Sequence, residues 1–529
     1  MSKNVGFDTG SSSDHVDGWL TVHAFSGIFR MATQLVAMMI LVPIIIHYEG
    51  EERYGVWTLA MAIGGLLAFL ELGLVQATNR FLAEVDYKTQ QQEIRDLACT
   101  TFWLTVASGF LVILVGLPFS EEIAGLFDVP DKIRNEAGLV IAVMIWRLAL
   151  SIPLRNFNAV LISQRFMARA HIAQGFMNLV YFGGGYLAIV NGLGLECLAS
   201  VYLFTMLAEH FVYILMSIKV LPLTSYSPFR FKPGLVGKIL EFSTFAWLGQ
   251  MVNLIYMRAG VLFVQLTAGL VATGAYGIAM RLTAVSSELA TQVIFAGGPQ
   301  IAKLAASSKR GKKEAGLLAL ALARRSMLLA GPLAAVAIPL GGPFLHGWVG
   351  VEMAATATIP LALLSSSIAF SAPSMTASNT LTLMGEHRWT NVVAMILVLI
   401  YLPTTYFGGY FLGADGVALS SFVINVFIAS PVFLARLASS SSFDRILWWR
   451  AVYRPHVWPF IFCLIFGIGI AQLIYNFVPA GRIWMLWGGL GGFLAVCLYF
   501  LIYFRFTAPL EERERMTGLA KRVLSKIKR

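Results

Sequence analysis

The chain has 529 residues, 57% of them hydrophobic and only 13% charged, with a mean hydropathy of +0.73 and a formal net charge of +11. A soluble chain of this length would divide into domains and carry more charge, which excludes a water-soluble protein. Strand-like alternation of apolar and polar residues is missing as well. That excludes a β-barrel, so the apolar runs must close their own backbone hydrogen bonds as helices.

Residues 1–17 are polar, hold only Lys3 among the basic residues and lack a signal-peptide pattern; they are predicted to form a cytoplasmic tail. Apolar runs of about 20 residues follow, each long enough to cross a bilayer core. They predict spans near 20–46, 54–82, 98–118, 137–161, 170–190, 196–218, 239–266, 273–302, 316–340, 355–383, 391–411, 416–435, 455–477 and 483–504. Three pairs recur at an offset of 222: Tyr54-Gly55 with Tyr276-Gly277, Leu82-Ala83 with Leu304-Ala305, and Gly194-Leu195 with Gly416-Val417. This offset predicts a duplicated six-helix unit in which both copies have the same orientation, an arrangement that usually encloses a cavity. The expected organisation is an N-lobe (18–221), a cytoplasmic linker (222–236), a C-lobe (237–438), two further helices (450–506) and a tail (507–529). In the tail, Met516, Leu519, Ala520, Val523 and Ile527 share one helical face beside Lys521, Arg522, Lys526, Lys528 and Arg529, which predicts a basic amphipathic helix on anionic lipid.

The loops set the orientation. With the N-terminus inside, 30 Lys and Arg fall on the cytoplasmic side and 4 on the other (Arg53, Lys132, Arg134 and Arg482), leaving 5 arginines inside spans. The positive-inside rule therefore puts both termini in the cytoplasm. The net charge is topology charge facing lipid, and no nucleic-acid partner is needed to explain it. The longest polar loops (85–97, 222–236 and 303–315) are too short for a catalytic domain, so no enzymatic activity is expected. Cys99, Cys197, Cys463 and Cys497 have no metal-binding spacing, and no metal or other cofactor is expected.

Ionisable groups at bilayer depth carry the functional signal. Arg147 lies at least ten residues from either end of its span, roughly 15 Å at the helical rise and beyond easy snorkelling. Arg258 is nearly as deep, and Arg155, Arg30 and Arg281 lie closer to span ends. The five are candidates for a cationic, substrate-binding cavity. Glu71, Glu209, His210 and Glu288 are candidates for ion or proton coupling, with structural pairing to the arginines as the competing reading for the acids. Glu209 and His210 are adjacent and point in different directions, so they are not expected to pair with each other.

The stretch from Tyr54 to Glu84, YGVWTLAMAIGGLLAFLELGLVQATNRFLAE, resembles the second-helix signature of polysaccharide flippases of the multidrug/oligosaccharidyl-lipid/polysaccharide exporter superfamily. The matching positions are Tyr54, Gly55, Glu71, Leu72, Gly73, Leu74, Ala77 and Arg80, and GAYGIAMRL (Gly274–Leu282) is similar to the equivalent segment of the second lobe. The resemblance, over about residues 20–438, implies two six-helix lobes around a cationic cavity in the inner membrane. It implies translocation of undecaprenyl-diphosphate-linked oligosaccharide for O-antigen or exopolysaccharide, alongside membrane lipids and a polymerase or export machinery, with coupling to a proton or sodium gradient. Relatives often carry an acid in the seventh helix where this chain has Arg258. Fourteen spans also suit a lipid II flippase, although the first helix lacks the Ser-Arg…Gly…Arg-Asp pattern and has only Arg30 in a comparable place. A drug/cation antiporter would usually carry an acid in the first helix, and none lies between Trp19 and His47. A non-transport scaffold of a polysaccharide synthase complex would not depend on buried charge.

Overall fold

The computed structural model describes residues 12–85, 90–164, 166–307, 309–509 and 512–514. All regular structure among them is helical: α1 (Ser12–Glu49), α2 (Glu51–Leu66), α3 (Leu74–Glu84), α4 (Gln91–Gly116), α5 (Ser120–Leu126), α6 (Asp131–Ser163), α7 (Met167–Val190), α8 (Gly194–Ser217), α9 (Pro233–Ser307), α10 (Lys309–Val349), α11 (Val351–Leu381), α12 (His387–Val423), α13 (Ser430–Ser441), α14 (Arg445–Trp448), α15 (Arg454–Phe477) and α16 (Ile483–Ile502), with short tight or wide helical turns between several of them. Ten described stretches are long and apolar enough to cross a membrane. One is interrupted at Gly269 and another at Gly385 and Gly413, where the backbone leaves helical geometry. Divided there, and with α7 added, they account for the fourteen segments predicted, in an all-α multi-pass membrane protein.

Each junction predicted on the side away from the cytoplasm contains a residue of positive φ: Gly50, Asp128, Gly192 with Gly194, Gly269, Gly350, Gly413 and Gly481. One such residue reverses the chain without a polar loop. Residues 341–354, predicted as a loop, are accordingly helical up to Val349 and again from Val351. The prolines inside α1, α6, α10, α11, α12 and α15 do not end those helices.

The chain forms two compact units, Met1–Arg258 and Ala259–Arg529. The first therefore extends beyond the linker predicted at 222–236. That segment is pinned to α4 and α6. Tyr226 packs against Phe102 and Phe157 at 5.3 and 4.9 Å between ring centroids. Trp103 Nε1 donates to the Tyr226 carbonyl at 3.0 Å, Cys99 Sγ donates to the Ser227 carbonyl at 3.2 Å, and Lys232 pairs with Asp96 at 3.1 Å. The start of α9 follows it onto the first unit. An apolar core of Leu74, Phe81, Leu82, Leu97, Phe157, Val160, Tyr213 and Ile239 joins these elements.

In the second unit α10 packs against α11, α15 and α16. The first residues of the predicted tail belong to this packing. Arg324 on α10 donates to Glu512 Oε1 at 2.7 Å, and Tyr503 donates to Glu512 Oε2 at 2.9 Å. His456, fully buried on α15, contacts the Arg324 carbonyl and the Tyr499 hydroxyl, both at 3.1 Å. Within the segment expected as an amphipathic tail (507–529), Ala508 and Glu512 are thus tied to the second unit. The amphipathic pattern at 516–529 lies outside the described residues, as do Lys88 and Arg165.

Candidate functional site

The second predicted span, 54–82, is not one helix. α2 runs out through a tight turn (Leu67–Glu71), and Leu72 and Gly73 both adopt left-handed geometry (φ 57° and 70°) before α3 begins. Such a break frees carbonyls that need new donors at bilayer depth. Phe69 O accepts from Trp247 Nε1 at 2.6 Å, and Leu70 O accepts from Ser108 Oγ at 2.7 Å. The Glu71-Leu72-Gly73-Leu74 sequence is therefore a built break, and it presents Glu71 toward α6. The Glu71 side chain is 1% exposed, and its Oε2 accepts from Arg155 at 2.8 Å. A carboxylate this deep is tolerable because the guanidinium partner compensates its lost hydration.

Arg147 is the middle residue of α6, sixteen from either end (Asp131–Ser163) and roughly 24 Å from each along the axis. Its guanidinium carbon lies 3.8 Å from the centroid of the Tyr202 ring on α8. Tyr202 is held in turn by Trp57 and Tyr181, at 5.9 and 5.0 Å between centroids. Arg147 and Arg155 recur at i and i+8 with Ser151 between, which aligns them along one side of α6.

α8 supplies the second acid. Glu209 Oε1 accepts from the Tyr213 hydroxyl at 2.7 Å, and the carboxylate lies in the field of Arg147, Arg155 and Arg30. Its neighbour His210 is buried, with Nδ1 2.9 Å from the Met206 carbonyl, within the electrostatic reach of Arg155 and Arg147. Arg30 on α1 adds the third cation, and its own carbonyl lies 3.4 Å from Asn178 Nδ2 of α7. The first unit thus gathers three arginines around two acids, which leaves the group net positive.

Arg258 also lies in the first unit, at its last residue. Its guanidinium covers Gly65 of α2 so closely that a Cβ there would come within 2.5 Å of Nε. Arg258 falls within the bounds expected for the C-lobe (237–438), but the start of α9 packs with the first unit and carries it there. Arg281 and Glu288, on the second half of α9, form no ion pair with each other or with other described residues.

Sequence reasoning missed Tyr202, Tyr213 and Gly65. A signal for the tyrosines existed: Tyr202, Met206, Glu209 and Tyr213 fall at i, i+4, i+7 and i+11, one face of α8.

Residues 27–187 match the MatE family model. The matched segment contains Arg30, Glu71, Arg147 and Arg155 and stops short of Tyr202 and Glu209. A search of curated proteins found no match. Among solved structures the chain resembles the lipid II flippase MurJ in an inward closed conformation, with a TM-score of 0.68 at 13% identity over 92% of this chain and 98% of that one. It also resembles a multidrug resistance MATE-family transporter of the MOP superfamily, inward-facing, with a TM-score of 0.63 at 16% identity over 79% and 99%. A third likeness is to a MOP superfamily transporter from Pyrococcus furiosus, described as having a binding pocket of reverse polarity, with a TM-score of 0.53 at 13% identity over 80% and 96%. At these identities the likenesses establish the fold alone, which is that of MurJ and MATE transporters.

Proposed function

We propose that this protein is a flippase of the MOP superfamily that moves an undecaprenyl-diphosphate-linked oligosaccharide across the cytoplasmic membrane by alternating access. The observation that carries the reading is the net-positive group of Arg30, Arg147, Arg155, Glu71 and Glu209 deep in a transporter fold. Guanidiniums suit a diphosphate because their planar forks bind its oxygens in pairs. The two acids, with His210, are the groups through which a proton or sodium gradient would couple. The second-helix signature favours the oligosaccharide lipid over a drug. Both termini are placed in the cytoplasm on the loop-charge bias, and a polymerase or export machinery would receive the product.

A second reading is favoured by a specific observation: the likeness to MurJ extends over 92% of the chain, against 79% for the MATE transporter. Lipid II is therefore the competing substrate. Proteoliposomes holding the purified chain, loaded in turn with undecaprenyl-diphosphate oligosaccharide and with lipid II, separate the two. Faster protein-dependent translocation of the oligosaccharide lipid is expected. Preference for lipid II assigns the second reading, and no translocation of either removes the flippase proposal.

A further inference from the structure

The two arginines of α6 are held in different ways. Arg155 lies 2.8 Å from Glu71 Oε2, so its charge is answered within the protein. Arg147 forms no ion pair among the described residues, and its Nε is buried without a hydrogen bond. Glu209, whose field reaches Arg147, has its carboxylate held by the Tyr213 hydroxyl at 2.7 Å. What fixes Arg147 is an aromatic face: its guanidinium carbon sits 3.8 Å from the Tyr202 ring centroid. Stacking on a ring uses the flat face of a guanidinium and leaves its N–H edge for a planar or tetrahedral oxyanion. The platform is itself fixed, because Trp57, 2% exposed, and Tyr181 pack on Tyr202.

We propose that Tyr202 positions Arg147, which has no direct ion pair among the described residues, as the cation that takes a phosphate-type anion, while Arg155 is committed to Glu71. This rests on the reading of the cluster as an anion site. It assigns to Tyr202, outside the segment that matches the MatE model, a positioning role: an aromatic contact orients the cation where a carboxylate would have neutralised it. Removing the ring should let the long Arg147 side chain turn toward Glu209, lowering its availability to a ligand. Removing only the hydroxyl should change little.

The test is calorimetric titration of the full-length protein in detergent with inorganic pyrophosphate, with unfolding midpoints recorded in parallel. The expected result is measurable binding by the wild type, loss of it in Arg147→Ala, weakening by about tenfold in Tyr202→Leu and a change of less than about twofold in Tyr202→Phe. If Tyr202→Leu lowers the midpoint but the folded protein binds pyrophosphate as tightly as the wild type, the ring is only packing and the inference is overturned, while the anion site stands. If the wild type does not bind pyrophosphate, or Arg147→Ala binds it equally well, the anion site and the inference fall together.

Discussion

Gly73→Ala tests the break in the second span, and a control with matching geometry isolates the effect. Gly73 and Gly192 both have φ of 70°. An L side chain in this region costs about 1–2 kcal/mol from backbone strain alone. At Gly192 that is the whole expected cost, because nothing lies within 4 Å of an added Cβ. At Gly73 the added Cβ would come within 2.5 Å of the Ser243 carbonyl oxygen and 2.9 Å of the Trp247 nitrogen. Both are backbone atoms of α9 and cannot swing away, so the helices must separate. Overpacking of this kind adds about 1–3 kcal/mol. The separation also strains the 2.6 Å bond from Trp247 Nε1 to Phe69 O. The expected totals are about 2–5 kcal/mol for Gly73→Ala and about 1–2 kcal/mol for Gly192→Ala. Denaturant unfolding of both purified variants in the same detergent reads the difference. Equal losses in the two would refute the close approach of α9 to the break, and with it the account of how Glu71 is presented to Arg155.

Other outcomes follow from the same geometry. Gly65→Ala should displace the Arg258 guanidinium, whose flexible end can move, so unfolding stability should stay within about 1 kcal/mol while transport falls about tenfold or more; unchanged transport removes Arg258 from the site. Truncation after Phe506 deletes Glu512 and strands the largely buried Arg324, which costs about 3–5 kcal/mol, whereas truncation after Glu514 should leave the unfolding midpoint unchanged. Equal midpoints for the two truncations would contradict the anchor. A reporter fused after Arg529 should report cytoplasm and one inserted at Gly350 the opposite side; the same side for both would break the fourteen-span topology.

Much of the fold was legible because apolar run length and loop charge are properties of the bilayer, independent of how the helices pack. The boundaries at Gly269, Gly385 and Gly413 were legible too, since each falls in a gap between the predicted spans. Their form was not: at Gly269 and Gly413 a single reversed residue replaces a polar loop, and in sequence it looks like any glycine of a membrane helix. Glu71-Leu72-Gly73-Leu74 was readable as a signature but was expected to sit within a continuous helix, since nothing local reveals that Trp247 and Ser108 will satisfy the freed carbonyls. Depth singled out Arg147 and Arg258 ahead of Arg155, Arg30 and Arg281, because burial of charge is costly wherever it occurs. Depth could not say that Arg155 would find Glu71 and Arg147 would find an aromatic ring, since those partners are 84 and 55 residues distant in the chain. Arg258 was assigned to the opposite lobe by the repeat. The pinned linker, built on Tyr226, Cys99 and Asp96, carries the start of α9 onto the first unit instead.

The central claim is that the arginine group of the first unit binds the anionic head of a lipid-linked oligosaccharide, with Arg147 as its open cation. The direct measurement is the amount of lipid-linked oligosaccharide on the cytoplasmic face of cells carrying Arg147→Ala or Arg147→Lys at wild-type protein abundance. The account predicts accumulation in the alanine variant and partial clearance in the lysine variant, which keeps the charge and loses the planar fork. Wild-type translocation in the alanine variant at equal abundance would contradict it.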